Sequence, residues 1–135
     1  MSSFVDKKEE DFKIVLPDVT FIGEIKGITS NVRSENVSQL DVHCQTYIDS
    51  LDEDEKNENV KGILLINPLR NKPVDERDEV HEKQIKLAIR NDSLIITTKT
   101  LLILFMSYLQ ERITTDKIIE LLKNKTGLLT VSDFL

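Results

Sequence analysis

Tryptophan is absent from this 135-residue chain, aromatic residues make up only 5% of it, and there are just four glycines, three prolines and one cysteine. Each shortage closes off a class of function. A lone cysteine permits no disulfide framework within the chain and no Cys-x-x-Cys metal or redox motif, which fits a reducing cytoplasm. The two histidines, His43 and His81, are too far apart and too isolated to define a zinc site, and no His-Glu-x-x-His is present. So few glycines leave no phosphate-cradling loop and no nucleophile elbow. Scarce aromatics argue against a stacking platform for single-stranded nucleic acid. The longest apolar run, Leu101 to Met106, is far too short to cross a bilayer. The polar start Met1-Ser-Ser-Phe-Val-Asp-Lys-Lys-Glu-Glu is not a signal peptide. A soluble cytoplasmic protein with no membrane role is expected.

What the chain does have is charge, at 31%, and 39% hydrophobic residues arranged with clear periodicity. Its length suits one domain with a real core, residues 1–135. Asp11-Phe-Lys-Ile-Val-Leu reads as a strand, Pro17-Asp18 as a turn, and Val19-Thr-Phe-Ile-Gly-Glu-Ile-Lys as a second strand, together a hairpin. A helix from near Ser34 carries Val37, Leu40, Cys44, Tyr47, Ile48 and Leu51 as an apolar stripe. Cys44 on that stripe is expected to be buried. Asp52-Glu-Asp-Glu-Lys-Asn-Glu is an acidic, solvated loop. A buried strand at about 60–66 follows, then a polar loop with Pro68 and Pro73, a helix from about 77 to 90 and a buried strand Ser93 to Thr98. Thr98 or Thr100 is expected to cap a helix reaching about Ile113, and Thr114-Thr115-Asp116 starts another over Lys117 to Lys125, ended by Gly127. Leu128 to Val131 is a short strand or an extended tail. Strands alternating with helices imply parallel neighbours in a sheet covered on both faces, an α/β fold.

The hairpin carries the residues of greatest chemical interest. If Leu16 pairs with Val19, paired residue numbers keep a constant sum and Asp11 falls opposite Glu24. Side chains directly across an antiparallel pair lie roughly 4.5–5.5 Å apart at Cβ, and Glu24 and Lys26 share a face because strand side chains alternate. Pro17 disfavours a primed two-residue turn, so a longer loop is expected, and a one-residue slip would change the face Asp11 presents. Asp18 is a rival acid, since Pro17-Asp18 ahead of Glu24-x-Lys26 also looks like a nuclease motif, but at the hairpin tip a Pro-Asp pair is ordinary turn chemistry. An isolated Glu-x-Lys is otherwise an exposed charged pair on a strand face.

Asp11, then Glu24-Ile-Lys26-Gly27, a helix carrying Gln39 and the strand Lys61-Gly-Ile-Leu-Leu-Ile-Asn together resemble the PD-(D/E)XK phosphodiesterase superfamily, whose fold is restriction-endonuclease-like. The resemblance extends to Asn67-Pro-Leu-Arg-Asn-Lys-Pro73 and Leu94-Ile-Ile-Thr-Thr98. It covers about residues 9–110, leaving about 111–135 as a C-terminal helical extension. It implies a mixed sheet, an antiparallel hairpin plus parallel strands, flanked by helices. It also implies a nuclease that binds Mg²⁺, or Mn²⁺, through Asp11, Glu24 and the backbone carbonyl of Ile25. Hard oxygen donors of this kind suit Mg²⁺. Lys26 would orient or deprotonate the attacking water, and Gln39 would help to position water or substrate, although Gln39 lies well off the apolar stripe of its helix. The alternative is a nuclease-like module that has lost catalysis and works through protein or nucleic-acid contacts.

A net charge of −6 sits awkwardly with a nucleic-acid partner, DNA or RNA. The charge is uneven, however: Lys61, Arg70, Lys72, Arg77, Lys83, Lys86 and Arg90 make a more basic region. Arg70 and Lys72 follow the buried strand at its C-terminal end, a usual place for ligand contacts in open α/β sheets, and are candidates for binding nucleic acid. Members of the resembled superfamily usually have a helix and a strand before the acid-bearing hairpin, whereas only ten residues precede Asp11 here. That implies a minimal version, a fragment, or a domain completed by a partner. An uncovered sheet edge then predicts a homodimer or a place in a larger assembly.

Overall fold

In the computed structural model, which describes residues 10–55 and 58–135, five strands form one sheet in the order β1-β2-β3-β4-β5. The strands are β1 (Phe12–Val15), β2 (Thr20–Gly27), β3 (Val60–Asn67), β4 (Ser93–Thr97) and β5 (Gly127–Leu128). β1 and β2 are antiparallel; β2 to β5 run parallel. Four helices flank the sheet: α1 (Ser34–Asp49), α2 (Glu82–Arg90), α3 (Thr98–Leu109) and α4 (Thr115–Asn124). The α/β class, the antiparallel hairpin and the parallel strands agree with the sequence. The C-terminal stretch is more than a helical extension, because it adds β5 to the sheet.

Two apolar layers hold this arrangement. On one face Ile22, Leu64, Ile66 and Ile95 pack against Val37, Leu40 and Cys44 of α1 and Ala88 of α2. On the other, Phe21, Ile63, Leu94 and Ile96 meet Leu104 of α3 and the half-buried Ile118, Leu121 and Leu122 of α4. The alternation of Phe21 and Ile22 between layers is the two-residue period of a strand covered on both faces. Gly62 sets how closely α1 approaches: a Cβ there would come 2.9 Å from Cys44 Sγ and 3.2 Å from Leu40. Gly23 does the same for the hairpin, since a Cβ would overlap the ring of Phe12, which lies across it.

The hairpin ladder runs from Phe12↔Gly23 to Val15↔Thr20, in the constant-sum register expected from Leu16 and Val19. Four residues, Leu16–Val19, separate the last paired residues, with the Leu16 N–H donating to the Val19 carbonyl at 2.9 Å. Other boundaries differ from the expected ones. Residues 77–81 are not helical, and α2 begins at Glu82. Arg77 is held instead by Asn67 Oδ1 at 2.7 Å and the Lys72 carbonyl at 3.0 Å, and Val80 is buried in the core. The α3 helix starts at Thr98 and is capped by Thr97, whose hydroxyl accepts from the Thr100 N–H; it ends at Leu109 rather than near Ile113. Thr114 caps α4 in the same way through the Lys117 N–H. Residues 53–55 of the acidic run form one exposed 3₁₀ turn; Lys56 and Asn57 of that run, like Met1–Glu9, lie outside the described residues.

Candidate active site

β2 presents Glu24 and Lys26 on the α1 face of the sheet because each lies an even number of residues from Ile22, whose side chain is in the α1 layer. Glu24 is buried, at 3% exposure, and Lys26 is partly open. The Lys26 ammonium lies 4.0 Å from Glu24 Oε2. The other carboxylate oxygen, Oε1, faces Nδ1 of His43, which α1 lowers onto the strand. The sequence set His43 aside as a zinc ligand. Its spacing three residues beyond Leu40 nonetheless puts it on the buried stripe of α1, and it is 5% exposed.

Asp11 sits one residue beyond the end of the ladder, at a bend. Its N–H donates to the Gly23 carbonyl at 2.8 Å, and its carboxylate turns to the edge of β2, where Oδ2 accepts the Ile25 N–H at 2.8 Å. The N–H and C=O of one strand residue point toward the same neighbour, so the Ile25 carbonyl looks out over the edge that Asp11 covers. Asp11 and Glu24 are thus joined through the intervening peptide, with Asp11 exposed and Glu24 buried. Asp18 is committed elsewhere: its Oδ2 lies 2.8 Å from Lys123 Nζ of α4, and this ion pair holds its carboxyl below the usual carboxylate value. Of the two rival acids, Asp11 bonds the edge of the strand that carries Glu24, whereas Asp18, in the hairpin turn, is tied to α4.

The remaining candidates are more dispersed. Gln39 is exposed on α1, about 100° around the helix from Leu40. Arg70 is exposed, and its aliphatic stem passes 3.6 Å from where a Gly27 Cβ would lie, which places it beside the end of the motif strand. Lys72 is exposed in the following turn, where its carbonyl accepts from Arg77. Lys61, in contrast, is buried at 2% exposure, with its ammonium 3.3 Å from the Lys123 carbonyl and 3.9 Å from Asp92. Burial holds the Lys61 ammonium below the usual lysine value.

Burial pushes the Cys44 thiol up to about 12, and the carboxylates of Asp41, Glu10 and Glu24 push in the same direction. Glu10, which sequence reasoning did not single out, therefore belongs to the electrostatic surroundings of α1. Next to this, Lys13 lies over the Tyr47 ring, 5.2 Å from its centroid, and the Tyr47 hydroxyl donates to Glu58. Glu58 also accepts from the hydroxyl of the buried Thr20, linking the turn end of the hairpin to α1 through Tyr47. The oxygen donors available to a hard divalent cation are the Asp11 carboxylate, the Glu24 carboxylate and the Ile25 carbonyl. Among the described residues, no three or more His, Cys, Asp and Glu side chains converge on a common point. Among the described residues no helix is long and apolar enough to cross a membrane. Compared with family models, curated proteins and solved structures, the chain finds no match.

Proposed function

We propose that this chain is a divalent-metal-dependent nuclease of the PD-(D/E)XK type, hydrolysing phosphodiester bonds of DNA or RNA at the edge of β2. The observation that carries the reading is the hairpin register, which puts the Asp11 carboxylate on the backbone of Ile25, between Glu24 and Lys26. Two acids, one main-chain carbonyl and one ammonium, on β2 and against its edge, are the group set such chemistry uses. The mixed sheet, with an antiparallel hairpin leading into parallel strands, supports a restriction-endonuclease-like fold.

The donors are oxygens, which suits Mg²⁺, or Mn²⁺, over softer metals. Bound there, the ion would acidify a water and polarise a phosphoryl oxygen. The chain's own residues supply the rest. Glu24 is oriented by His43 on one oxygen and Lys26 near the other, and Asp11 is fixed by the Ile25 N–H, so neither acid must be ordered when substrate arrives. Lys26, partly open, offsets negative charge growing on phosphorus and orients the attacking water. Arg70, beside Gly27, is suited to a flanking phosphate, with Lys72 one turn further on.

One observation favours the second reading, a catalytically inactive nuclease-like module: the Glu24 carboxylate is already engaged by His43 in the buried layer. Assembly with a second copy or another chain is part of both readings. It is supported by the exposed apolar residues Ile14 and Val15 on edge strand β1 and Leu102, Phe105, Met106 and Leu109 on α3. A cytoplasmic setting accords with the single buried thiol. Cleavage of plasmid, single-stranded DNA and RNA with Mg²⁺ or Mn²⁺ tests the choice. Nuclease activity lost in Glu24→Ala and Lys26→Ala supports the first reading, and an inert wild type across all substrates and metals supports the second.

A further inference from the structure

The structure divides the basic region of the sequence into residues that are used up and residues that are not. Lys61 is buried, and Arg77 is bound to Asn67 and the Lys72 carbonyl. Of the exposed remainder, Lys83, Lys86 and Arg90 lie three and four apart on α2, in one row along its surface. Facing them across an open cleft of about 600 Å³ are Ser34 and Ser38, one turn apart on α1. Leu87 completes the lining, to which no carboxylate among the described residues contributes. The floor is fixed, because the Ser34 hydroxyl donates to Oε1 of the buried Gln84 at 3.0 Å. For a chain with a net charge of −6, three cations and two hydroxyls without an acid in one cleft is a strong local reversal of sign.

A second recess lies beside the end of the motif strand. Bordered also by the first turn of α1, it has a volume of about 250 Å³ and lies between the Ile28–Ser30 loop, Arg33 and Arg70. That loop begins two residues after Lys26, or about 7 Å along an extended chain. The carboxylates at the rim are Glu35, 3.4 Å from Arg33, and Glu82, 3.5 Å from Lys86; both pairs are solvent-exposed and contribute little. We infer that Lys83, Lys86 and Arg90, facing Ser34 and Ser38, form a track for the sugar-phosphate backbone of a nucleic acid, which passes over Arg33 and Arg70 to reach Lys26. The identity of the polyanion rests on the proposed nuclease reading; the cleft itself does not. A lining dominated by cations and hydroxyls, with no aromatic ring among the residues named, recognises phosphates rather than base edges, so the track reads charge and spacing and not sequence.

Binding of a short fluorescein-labelled duplex and of its single strand, followed by anisotropy in EDTA so that nothing is cut, tests the track. The triple variant Lys83→Ala/Lys86→Ala/Arg90→Ala is expected to bind about tenfold or more weakly, with a salt slope reduced by about 2–3. The charge-preserving Lys83→Arg/Lys86→Arg/Arg90→Lys should bind like wild type. Circular dichroism of both variants, unchanged from wild type, separates loss of charge from loss of fold. Equal binding by wild type and the alanine triple overturns the proposal, as does a wild type that binds neither oligonucleotide or that binds only phosphatidylserine vesicles. Weakened binding by the triple in a protein that cuts nothing supports the track and removes the nuclease reading. Cleavage with unchanged binding by the triple does the reverse.

Discussion

Replacing His43 with leucine removes a partner from a carboxylate that is 3% exposed, while the leucine remains compatible with the apolar stripe of α1. Removing one partner of a buried acid costs roughly 3–5 kcal/mol where a charge is left behind. Lys26 stays 4.0 Å from Oε2 and is partly open to water, so the lower end applies, about 3 kcal/mol. For a domain of this size that corresponds to a fall in Tm of about 10 °C. Removing both polar groups, as in Glu24→Leu/His43→Leu, leaves an apolar contact between β2 and α1 and should return stability to within about 1 kcal/mol of wild type. Urea unfolding at neutral pH, followed by circular dichroism for wild type, both single variants and the double, gives the coupling energy. A value of about 2 kcal/mol or more is expected between side chains in direct contact. A His43→Leu variant within about 0.5 kcal/mol of wild type, or effects that simply add in the double variant, would refute the pairing of these side chains.

Other consequences are equally direct. Lys123 holds the Asp18 carboxyl below its ordinary 3.8, so the ion pair contributes stability above that value and loses it as pH falls through the lowered folded-state value. The stability difference between wild type and Lys123→Ala should therefore be constant from neutral pH to about 5 and vanish in stronger acid, and high salt should shrink it; a difference that grows in acid contradicts the pair. Cys44, with its thiol pushed up to about 12 inside the α1 layer, should resist a disulfide reagent at pH 8 and react on unfolding in urea; prompt labelling of the native protein would contradict its burial. Light scattering at micromolar concentration should give a mass above that of one chain, and Phe105→Glu/Leu109→Glu should reduce it, whereas a clean monomer for wild type removes the association proposal.

How far the sequence reached depended on whether a feature was local. The hairpin register was legible because Leu16 and Val19 flank a turn and alternation does the rest, and the α1 stripe was legible from its spacing. His43 lay on that same stripe, but nothing in the residue order says that β2 brings Glu24 beneath it. Counting placed Asp11 opposite Glu24, but the ladder stops at Phe12↔Gly23, and Asp11 bends so that its N–H meets Gly23 and its carboxylate meets Ile25. The start of α2 was misplaced because Arg77 reaches back to Asn67, a long-range bond no propensity reports. The cap of α3 is Thr97 rather than the expected Thr98 or Thr100, because β4 pairs with β3 as far as Thr97 and the helix starts directly after it.

The central claim is that the edge of β2 holds a metal-dependent phosphodiester site. Its most direct test is plasmid cleavage by purified wild type, Asp11→Asn, Glu24→Gln and Lys26→Met, each with Mg²⁺, Mn²⁺ or EDTA. The account predicts nicking by wild type that EDTA abolishes, with each variant slower by about a hundredfold or more, as for loss of a group acting in the transition state. Cutting by all three variants at the wild-type rate would contradict it.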